Sequence, residues 1–580
     1  MAATSGSFQW TSLYRPPAIN PINGKARSIP ILNPINKYGR VFFFSWFGFM
    51  VAFWAWYAFP PLLTATIKDD LHLTTTEVAN SNIASLCATL LVRVAAGPFC
   101  DRFGPRKVFG GLLLLGAIPT GLAPLIHTAS GLYAVRFFMG ILGGSFVPCQ
   151  VWSTAFFDKN VVGSANAMAG GFGNAGGGMT YFIMPAIFNA LVDHQGYSKD
   201  VAWRLAFLVP LAVLLATAAA LLLLCPDTPD GPWADRHSPA QRHLCEIPSH
   251  RPHQNECHRT LQEDPKTVHA TESFAEIDSD KRFAIRLQAE PNHTDTGGQP
   301  SPPKSLKFSS PPSCPPSPAS SQRVQPSSPY LRPTTRSTTS HEVRLSSMEL
   351  LETCRSELGQ PPTAREALRV AFSPQTWALM LSYLCPFGAE LAINAVLSAY
   401  YLQTFPSLGQ TGASHWAALF GTLNIVTRPM GGVVADLLYA GHRLLWKRHW
   451  ITACGLLSGV SLVTLGCSNL PNEATMFGLV ALCAVFLEAG NGANFALVPH
   501  VHPFANGLVS GLTAAAGNVG GILFSIVFRL VTTIDVEEPL AAPALVDYGK
   551  AFWVIGIIHI VVNLAICWIP PTPRNPIRGP

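Results

Sequence analysis

The feature that most restricts what this chain can fold into is the recurrence of apolar stretches about twenty residues long. A helix rises about 1.5 Å per residue, so each stretch matches a hydrocarbon core of roughly 30 Å. Inside lipid every backbone amide needs a partner within the protein, and a lone stretch meets that demand only as a helix. The stretches fall near 41–66, 78–100, 107–126, 132–156, 162–191 and 202–225, and again near 375–401, 414–439, 449–467, 475–498, 506–530 and 550–569. The expected fold class is an all-α membrane protein of twelve transmembrane helices in two six-helix bundles. A polar leader of about forty residues precedes the first stretch and no small-residue cleavage pattern follows it, so it is read as a retained span.

Composition agrees with a bilayer: 48% of the 580 residues are hydrophobic, only 12% are charged, and mean hydropathy is +0.27. The net charge of +6 sits mainly in connections. Arg40, then Arg102, Arg106 and Lys107, then Arg443, Lys447 and Arg448, then Arg574 and Arg578 fall on one side of a twelve-span arrangement. Asp69, Asp70 and Glu77, then Asp535, Glu537 and Glu538, fall on the other. The positive-inside rule makes the basic side cytoplasmic and places both termini there. Charge this diffuse gives nucleic-acid binding no support. The 13 cysteines form no Cys-x-x-Cys pair, so neither a disulfide framework nor a metal site is expected, and they read as small buried hydrophobes.

The division expected along the chain is a cytoplasmic segment at 1–40, a bundle at 41–225, a linker at 226–372, a second bundle at 373–570 and a tail at 571–580. In the linker serine, proline and charge replace apolar periodicity, as in Ser301-Pro-Pro-Lys-Ser and Ser310-Pro-Pro-Ser, so it is expected to be disordered. Several of its serines precede proline, which makes it a candidate substrate for a kinase; a plain tether is the simpler reading. Asn292-His-Thr fits the glycosylation pattern but falls on the cytoplasmic side.

The two bundles repeat each other. Leu91-Val-Arg93-Val-Ala-Ala-Gly97-Pro-Phe-Cys-Asp101 in the second stretch matches Val426-Thr-Arg428-Pro-Met-Gly-Gly432-Val-Val-Ala-Asp436 in the eighth. Gly173-Asn174-Ala-Gly176-Gly177 in the fifth matches Gly517-Asn518-Val-Gly520-Gly521 in the eleventh.

Arg93 lies about eight residues from the basic end of its helix, roughly 12 Å deep, and Arg428 repeats that depth. A guanidinium keeps its proton and costs a few kcal/mol or more at mid-bilayer, so such an arginine marks a functional site unless a carboxylate such as Glu390 or Glu488 pairs with it. Its planar fork donates two parallel hydrogen bonds to a planar oxyanion. Nitrate, nitrite, bicarbonate or a carboxylate would serve equally on these grounds.

Glycines spaced i, i+4, Gly173 with Gly177 and Gly517 with Gly521, allow close helix approach, and Asn174 and Asn518 then offer amides to a cargo or bond to nearby backbone. Tyr383 and Phe387 stand one turn apart and could cover a flat anion or simply pack; Trp54, Trp56 and Tyr57 are weaker candidates. Glu390 and Glu488 are intramembrane carboxylates able to carry a proton or neutralise an arginine. Gly171-Phe-Gly173-Asn-Ala-Gly176 fits a dinucleotide pattern, yet it sits in an apolar span without the preceding strand or downstream acid that pattern needs. No nucleophile–base pair or cofactor loop survives the same check, so neither an enzyme nor a cofactor is expected.

Gly97-Pro-Phe-Cys-Asp101-Arg102-Phe-Gly104-Pro-Arg106-Lys107 resembles the signature of the major facilitator superfamily, with Pro105 in place of an arginine, and Arg136-Phe-Phe-Met-Gly140 resembles its fourth-span motif. Ala169-Gly-Gly-Phe-Gly173-Asn174-Ala-Gly-Gly-Gly178-Met-Thr180, with Ala516-Gly517-Asn518-Val-Gly-Gly521, resembles the signatures of its nitrate/nitrite porters, above all the eukaryotic, fungal-type high-affinity members with a long central loop.

The resemblance implies pseudo-symmetric halves with substrate near the midplane. It implies nitrate, and nitrite second, as cargo at Arg93, Arg428, Asn174, Asn518, Tyr383, Phe387, Gly173 and Gly517. Asp101, Arg102, Arg106 and Asp436 become gating residues, and Glu390, Glu488 and Arg136 become candidates for proton coupling. A negative cell interior opposes a monoanion by about 2.3 kcal/mol per 100 mV, so import across a plasma membrane needs a driver, and two protons would suffice. The rival readings are nitrate/nitrite exchange, a facilitator for another small anion, and a nitrate sensor signalling through the linker.

Overall fold

The computed structural model describes residues 10–20, 23–63, 66–229, 231–235, 363–441, 444–468, 472–533 and 545–572. The linker between 236 and 362 with Asn292, the acidic residues Asp535, Glu537 and Glu538, and Arg443, Arg574 and Arg578 lie outside them.

Eleven helices among the described residues are long and apolar enough to cross a membrane. They are Lys37–Leu63, Asn80–Phe103, Pro105–Leu125, Ala129–Phe156, Val162–His194 and Lys199–Leu224 in the first half, and Pro374–Thr404, Leu445–Cys467, Glu473–Val501, Pro503–Leu530 and Tyr548–Ile566 in the second. The eighth place in the order of crossings belongs to two helices, Gly409–Thr422 and Asn424–Gly441, separated only by Leu423. Asn424, Arg428, Pro429 and Asp436 make this crossing too polar to read as an uninterrupted apolar span. Packed between the fifth and tenth spans, it hides those groups from lipid. Six crossings in each half follow.

The fourth span tightens at its centre into a 3-10 stretch, Gly140–Ser145, flanked by the helices Ala129–Met139 and Phe146–Phe156. Large apolar side chains such as Leu115, Ile118, Leu223, Leu437 and Leu530 remain exposed on the outer surface, which is where a lipid-facing helix keeps them. The halves meet crosswise, the second span packing on the eleventh and the fifth on the eighth.

Several connections are docked, among them the first and last described stretches of the expected linker. Asp158, between the fourth and fifth spans, accepts a hydrogen bond from Asn20 (3.1 Å) and faces Arg27 (3.5 Å), and the Ala26 N–H bonds to the Phe156 carbonyl (2.9 Å). Trp233, in the opening stretch of the expected linker, donates to the Asp101 carbonyl (3.0 Å) and lies against Gly104, whose φ of +91° and missing Cβ leave room for the indole. Helix Ala364–Ala371 closes that linker with a Thr363/Glu366 capping box, and Thr74/Glu77 form the same box at the second span. In each, the threonine backbone N–H holds the glutamate carboxyl below its usual range.

Candidate anion site between the halves

Arg93 and Arg428 are 0% and 1% exposed. Arg93 donates through Nε to the Gly143 carbonyl (2.9 Å), on the tightened stretch of the fourth span, and through Nη1 to the Ala514 carbonyl of the eleventh (3.0 Å). Its Nη2 has no hydrogen-bond partner. Arg428 donates through Nη2 to the Tyr383 hydroxyl (2.8 Å) and through Nη1 to Asn424 Oδ1 (3.4 Å). Among the described residues no carboxylate stands within ion-pair distance of either guanidinium, so a direct pair with Glu390 or Glu488 is not how they are held.

Both guanidinium carbons border the same two rings. Arg93 Cζ is 5.3 Å from the Phe146 centroid and 5.0 Å from that of Phe387, and Arg428 Cζ is 5.8 and 5.5 Å from them. The two rings run nearly parallel, 17° apart with centroids at 6.4 Å, and Tyr383 stacks on Phe387 at 4.9 Å. A desolvated cation–π contact returns about 2 kcal/mol, against several kcal/mol to bury each ion. The direct partners of the two cations are rings, carbonyls and a hydroxyl, with a carboxyl reaching Arg428 only through Asn424, and the net positive charge left is one that a small anion would fill.

Internal symmetry explains the rings. Phe49 and Phe53 in the first span hold the one-turn spacing of Tyr383 and Phe387 in the seventh. A Cβ on Gly173 would fall 1.8 Å from Phe49 Cδ1, and one on Gly517 would fall 2.6 Å from Phe387 Cδ1 and 2.8 Å from Tyr383 Cε1. Gly517 is therefore the floor on which the Tyr383–Phe387 pair rests, and Gly173 the floor under Phe49. Sequence reading missed Phe146 and Phe495, which meet edge-to-face at 4.7 Å. The available signal was a second repeat, Gly143-Gly-Ser-Phe146 against Gly492-Ala-Asn-Phe495.

The two asparagines differ. Asn174 donates to the Gly170 carbonyl of its own helix (2.9 Å) and lines a narrow cleft with Phe53, Tyr57, Tyr181, Glu390 and Asn394. Asn518 is wholly buried with neither amide atom partnered, one turn beyond the Ala514 carbonyl that Arg93 grips. Unsatisfied amide groups in such a place cost about 1–3 kcal/mol each.

Glu390 and Glu488 form a pair that sequence reading did not link. The Asn424 amide nitrogen lies 2.8 Å from Glu390 Oε1 and 3.1 Å from Glu488 Oε1, Asn491 donates to Glu390 Oε2 (2.7 Å), and Thr427 contacts Glu488 Oε2. Asn424 thereby connects both carboxyls to Arg428.

Of the expected gating residues, Asp101 and Asp436 hold the halves together at the face carrying Arg102, Arg106 and Lys107. Asp101 accepts from the Gly507 and Leu508 N–H groups (3.1 Å each) at the start of helix Asn506–Leu530. Asp436 accepts from the Ser164 N–H (2.6 Å) and hydroxyl (2.8 Å) at the start of helix Val162–Asn189. Each is an anion at a helix N-terminus across the interface. Lys447 is not a loop charge as its sequence neighbours suggested: fully buried, it pairs with Asp436 (2.9 Å) and donates to the Ala496 carbonyl (3.1 Å). Arg102 is exposed beside Phe103, and Arg106 binds the Cys225 carbonyl (2.6 Å) and Asp227 (2.6 Å) within its own half, so neither joins this latch. Arg136 stands apart, bonded to Ser81 (2.9 Å) near the opposite face.

Two six-helix halves latched crosswise over a buried cationic, aromatic-lined site define a membrane transporter of the two-bundle class. The chain belongs to the Major Facilitator Superfamily, whose family model matches residues 45–525. It is similar to Elsinochrome transporter 1 of Elsinoe fawcettii, 32% identical over 97% of this chain and 98% of that one. High affinity nitrate transporter 2.5 of Arabidopsis thaliana is 26% identical, with 94% and 82% covered. Nitrate/nitrite transporter NrtP of Nostoc punctiforme is 26% identical, with 87% and 90% covered. Among solved structures, the proton:xylose symporter XylE superposes with a TM-score of 0.51 at 12% identity, covering 91% of this chain and 95% of that one, a likeness of fold alone.

Proposed function

We propose that this protein imports nitrate across the plasma membrane together with protons, the termini and the basic face being cytoplasmic. The observation that carries the reading is the pair of buried arginines with unspent donors beside them, Arg93 Nη2 and the Asn518 amide. A small planar monoanion between the parallel faces of Phe146 and Phe387 would accept from both forks and from Asn518. The names of the plant and cyanobacterial relatives support nitrate over other anions of that shape.

Proton coupling rests on a donor count. Thr427 has one hydroxyl hydrogen but two oxygen neighbours, the Leu423 carbonyl (2.9 Å) and Glu488 Oε2. The count closes when Glu488 carries a proton and donates it to Thr427. Glu390, accepting from two amides, is then the ionised member. Loss of the Glu488 proton would set two anions side by side across Asn424 and disturb the amide that Arg428 leans on. Breaking the Asp101 and Asp436 caps would open the basic face, with the halves rocking about the site.

Current and tracer nitrate uptake in a heterologous cell test the reading. Nitrate at acid pH is expected to drive inward positive current. Arg93→Lys and Arg428→Lys should each cut uptake at least tenfold at unchanged surface amount, since an ammonium cannot replace a two-pronged donor. Wild-type uptake in both variants would end the two-arginine account, and electroneutral exchange requiring internal nitrite would end symport. A second reading, transport of elsinochrome or a compound like it, is favoured by the name of the relative in Elsinoe fawcettii. It predicts that elsinochrome, and not nitrite or chlorate, competes with nitrate for the protein.

A further inference from the structure

Arg136 is only 4% exposed, yet its recorded partners are neutral: Nη1 donates to the Ser81 hydroxyl (2.9 Å) and the guanidinium packs on the Phe59 ring (5.7 Å). Among the described residues no carboxylate stands within ion-pair distance of it. This uncompensated cation opens on a cleft between the halves, lined also by Trp56, Asn82, Ser85, Tyr181 and Ser525. The cleft lies away from the latched face: Ser81 begins the second span that Asp101 ends, and Ser525 is near the far end of the eleventh. Tyr57, Tyr181 and Leu391 line both this cleft and the narrow one that reaches Asn174 and Glu390. The Arg136 cleft therefore adjoins, across that shared wall, the narrow cleft that reaches Asn174 and Glu390.

We propose that the Arg136 cleft is a second anion site, which takes nitrate from the outer face before it reaches the central pair; the proposal rests on the nitrate reading above. A buried guanidinium with an empty charge balance, hydroxyl and amide donors around it and an aromatic wall is the chemistry of a small oxyanion subsite. The twelve residues from Ser81 to Arg93 set the two sites roughly 18 Å apart along the second span. At an effective dielectric constant near 20, one bound monoanion weakens the binding of another at that distance only about fivefold. Both sites can fill at once, and the outer anion helps drive the inner one onward.

Equilibrium dialysis of labelled nitrate against purified full-length protein tests the assignment. Wild-type protein is expected to bind two nitrates, and Arg136→Gln one. Asn82→Asp, which puts a carboxylate into the lining of the same cleft and leaves Arg136 and Ser81 in place, should also bind one and guards against misfolding of the first variant. In uptake, both should raise KM about tenfold and leave the maximal rate and its pH profile in place. A moved pH profile with two nitrates still bound would make Arg136 a proton-coupling residue and overturn the site. One nitrate bound by wild type and both variants alike overturns the outer site alone. No nitrate bound to any form overturns the nitrate reading and the outer site with it.

Discussion

Gly517→Ala adds one methyl group at the floor of the central site. Its carbon would meet Phe387 Cδ1 at 2.6 Å and Tyr383 Cε1 and Cδ1 at 2.8 and 2.9 Å, all ring atoms. Ordinary carbon contacts lie near 3.5–4.0 Å, so the stacked pair must retreat by about 1 Å. Overpacking of this kind costs about 1–3 kcal/mol. Alanine regains about 1 kcal/mol through helix propensity, so the fold should survive. The site should not. Tyr383 retreats from Arg428 Nη2, now 2.8 Å from its hydroxyl, and a hydrogen bond to a charged group is worth about 1.5–3 kcal/mol. At about 1.4 kcal/mol per factor of ten, KM for nitrate is expected to rise by about ten- to a hundredfold. Gly478→Ala is the control, because a Cβ there meets nothing within 4 Å. The assay is concentration-dependent tracer uptake normalised to surface protein. Wild-type KM and rate in Gly517→Ala, or equal losses in the two variants, would refute the claim that this glycine supports the anion site.

Three further outcomes are expected. Tyr383→Phe keeps the ring and deletes the hydroxyl that Arg428 Nη2 reaches, so it should raise KM about tenfold at normal expression; an unchanged KM would remove Tyr383 from the site. Asp101→Asn loses one of two acceptors at the start of the eleventh span, so a cysteine placed at the buried position Val509 should be alkylated several-fold faster, and an unaltered rate would discount the latch. Wild-type uptake should fall as external pH rises, because protons become scarce. Glu488→Gln should flatten that profile and abolish nitrate-gated current while leaving nitrate binding in place; a profile that keeps its slope would acquit the carboxylate.

The spans were legible because lipid imposes one rule on every residue of a helix that must cross it. Arg93 and Arg428 were legible for the opposite reason, since a guanidinium at that depth violates the rule twice at one spacing. What escaped depended on which helices touch. Nothing along the seventh or eighth span alone says that Asn424 joins Glu390 to Glu488, because those carboxyls come from different helices and only packing sets them an amide apart. Phe146 escaped because a phenylalanine in an apolar span is unremarkable until a guanidinium lies on it. Lys447 looked like a loop charge because its neighbours Arg443 and Arg448 are basic too, while its burial is decided by Asp436 eleven residues earlier.

Duplication gives the halves the same skeleton, and the places where they part indicate what each half does. The latches stay nearly equivalent, Asp101 capping the eleventh span and Asp436 the fifth. The aromatic pairs share one spacing, but only the second half carries a hydroxyl, at Tyr383 where the first has Phe49. Asn174 is spent on its own helix while Asn518 is free. The carboxyl pair belongs wholly to the second half, on the seventh and tenth spans, and reaches Arg428 through Asn424 on the eighth. Arg93 is fixed instead by carbonyls that do not titrate. Under the proposed symport, only Arg428 is hydrogen-bonded through Asn424 to the carboxyl pair, so a change of protonation there would act more directly on its hold on the anion than on that of Arg93, an asymmetry that a symmetric duplicate lacks.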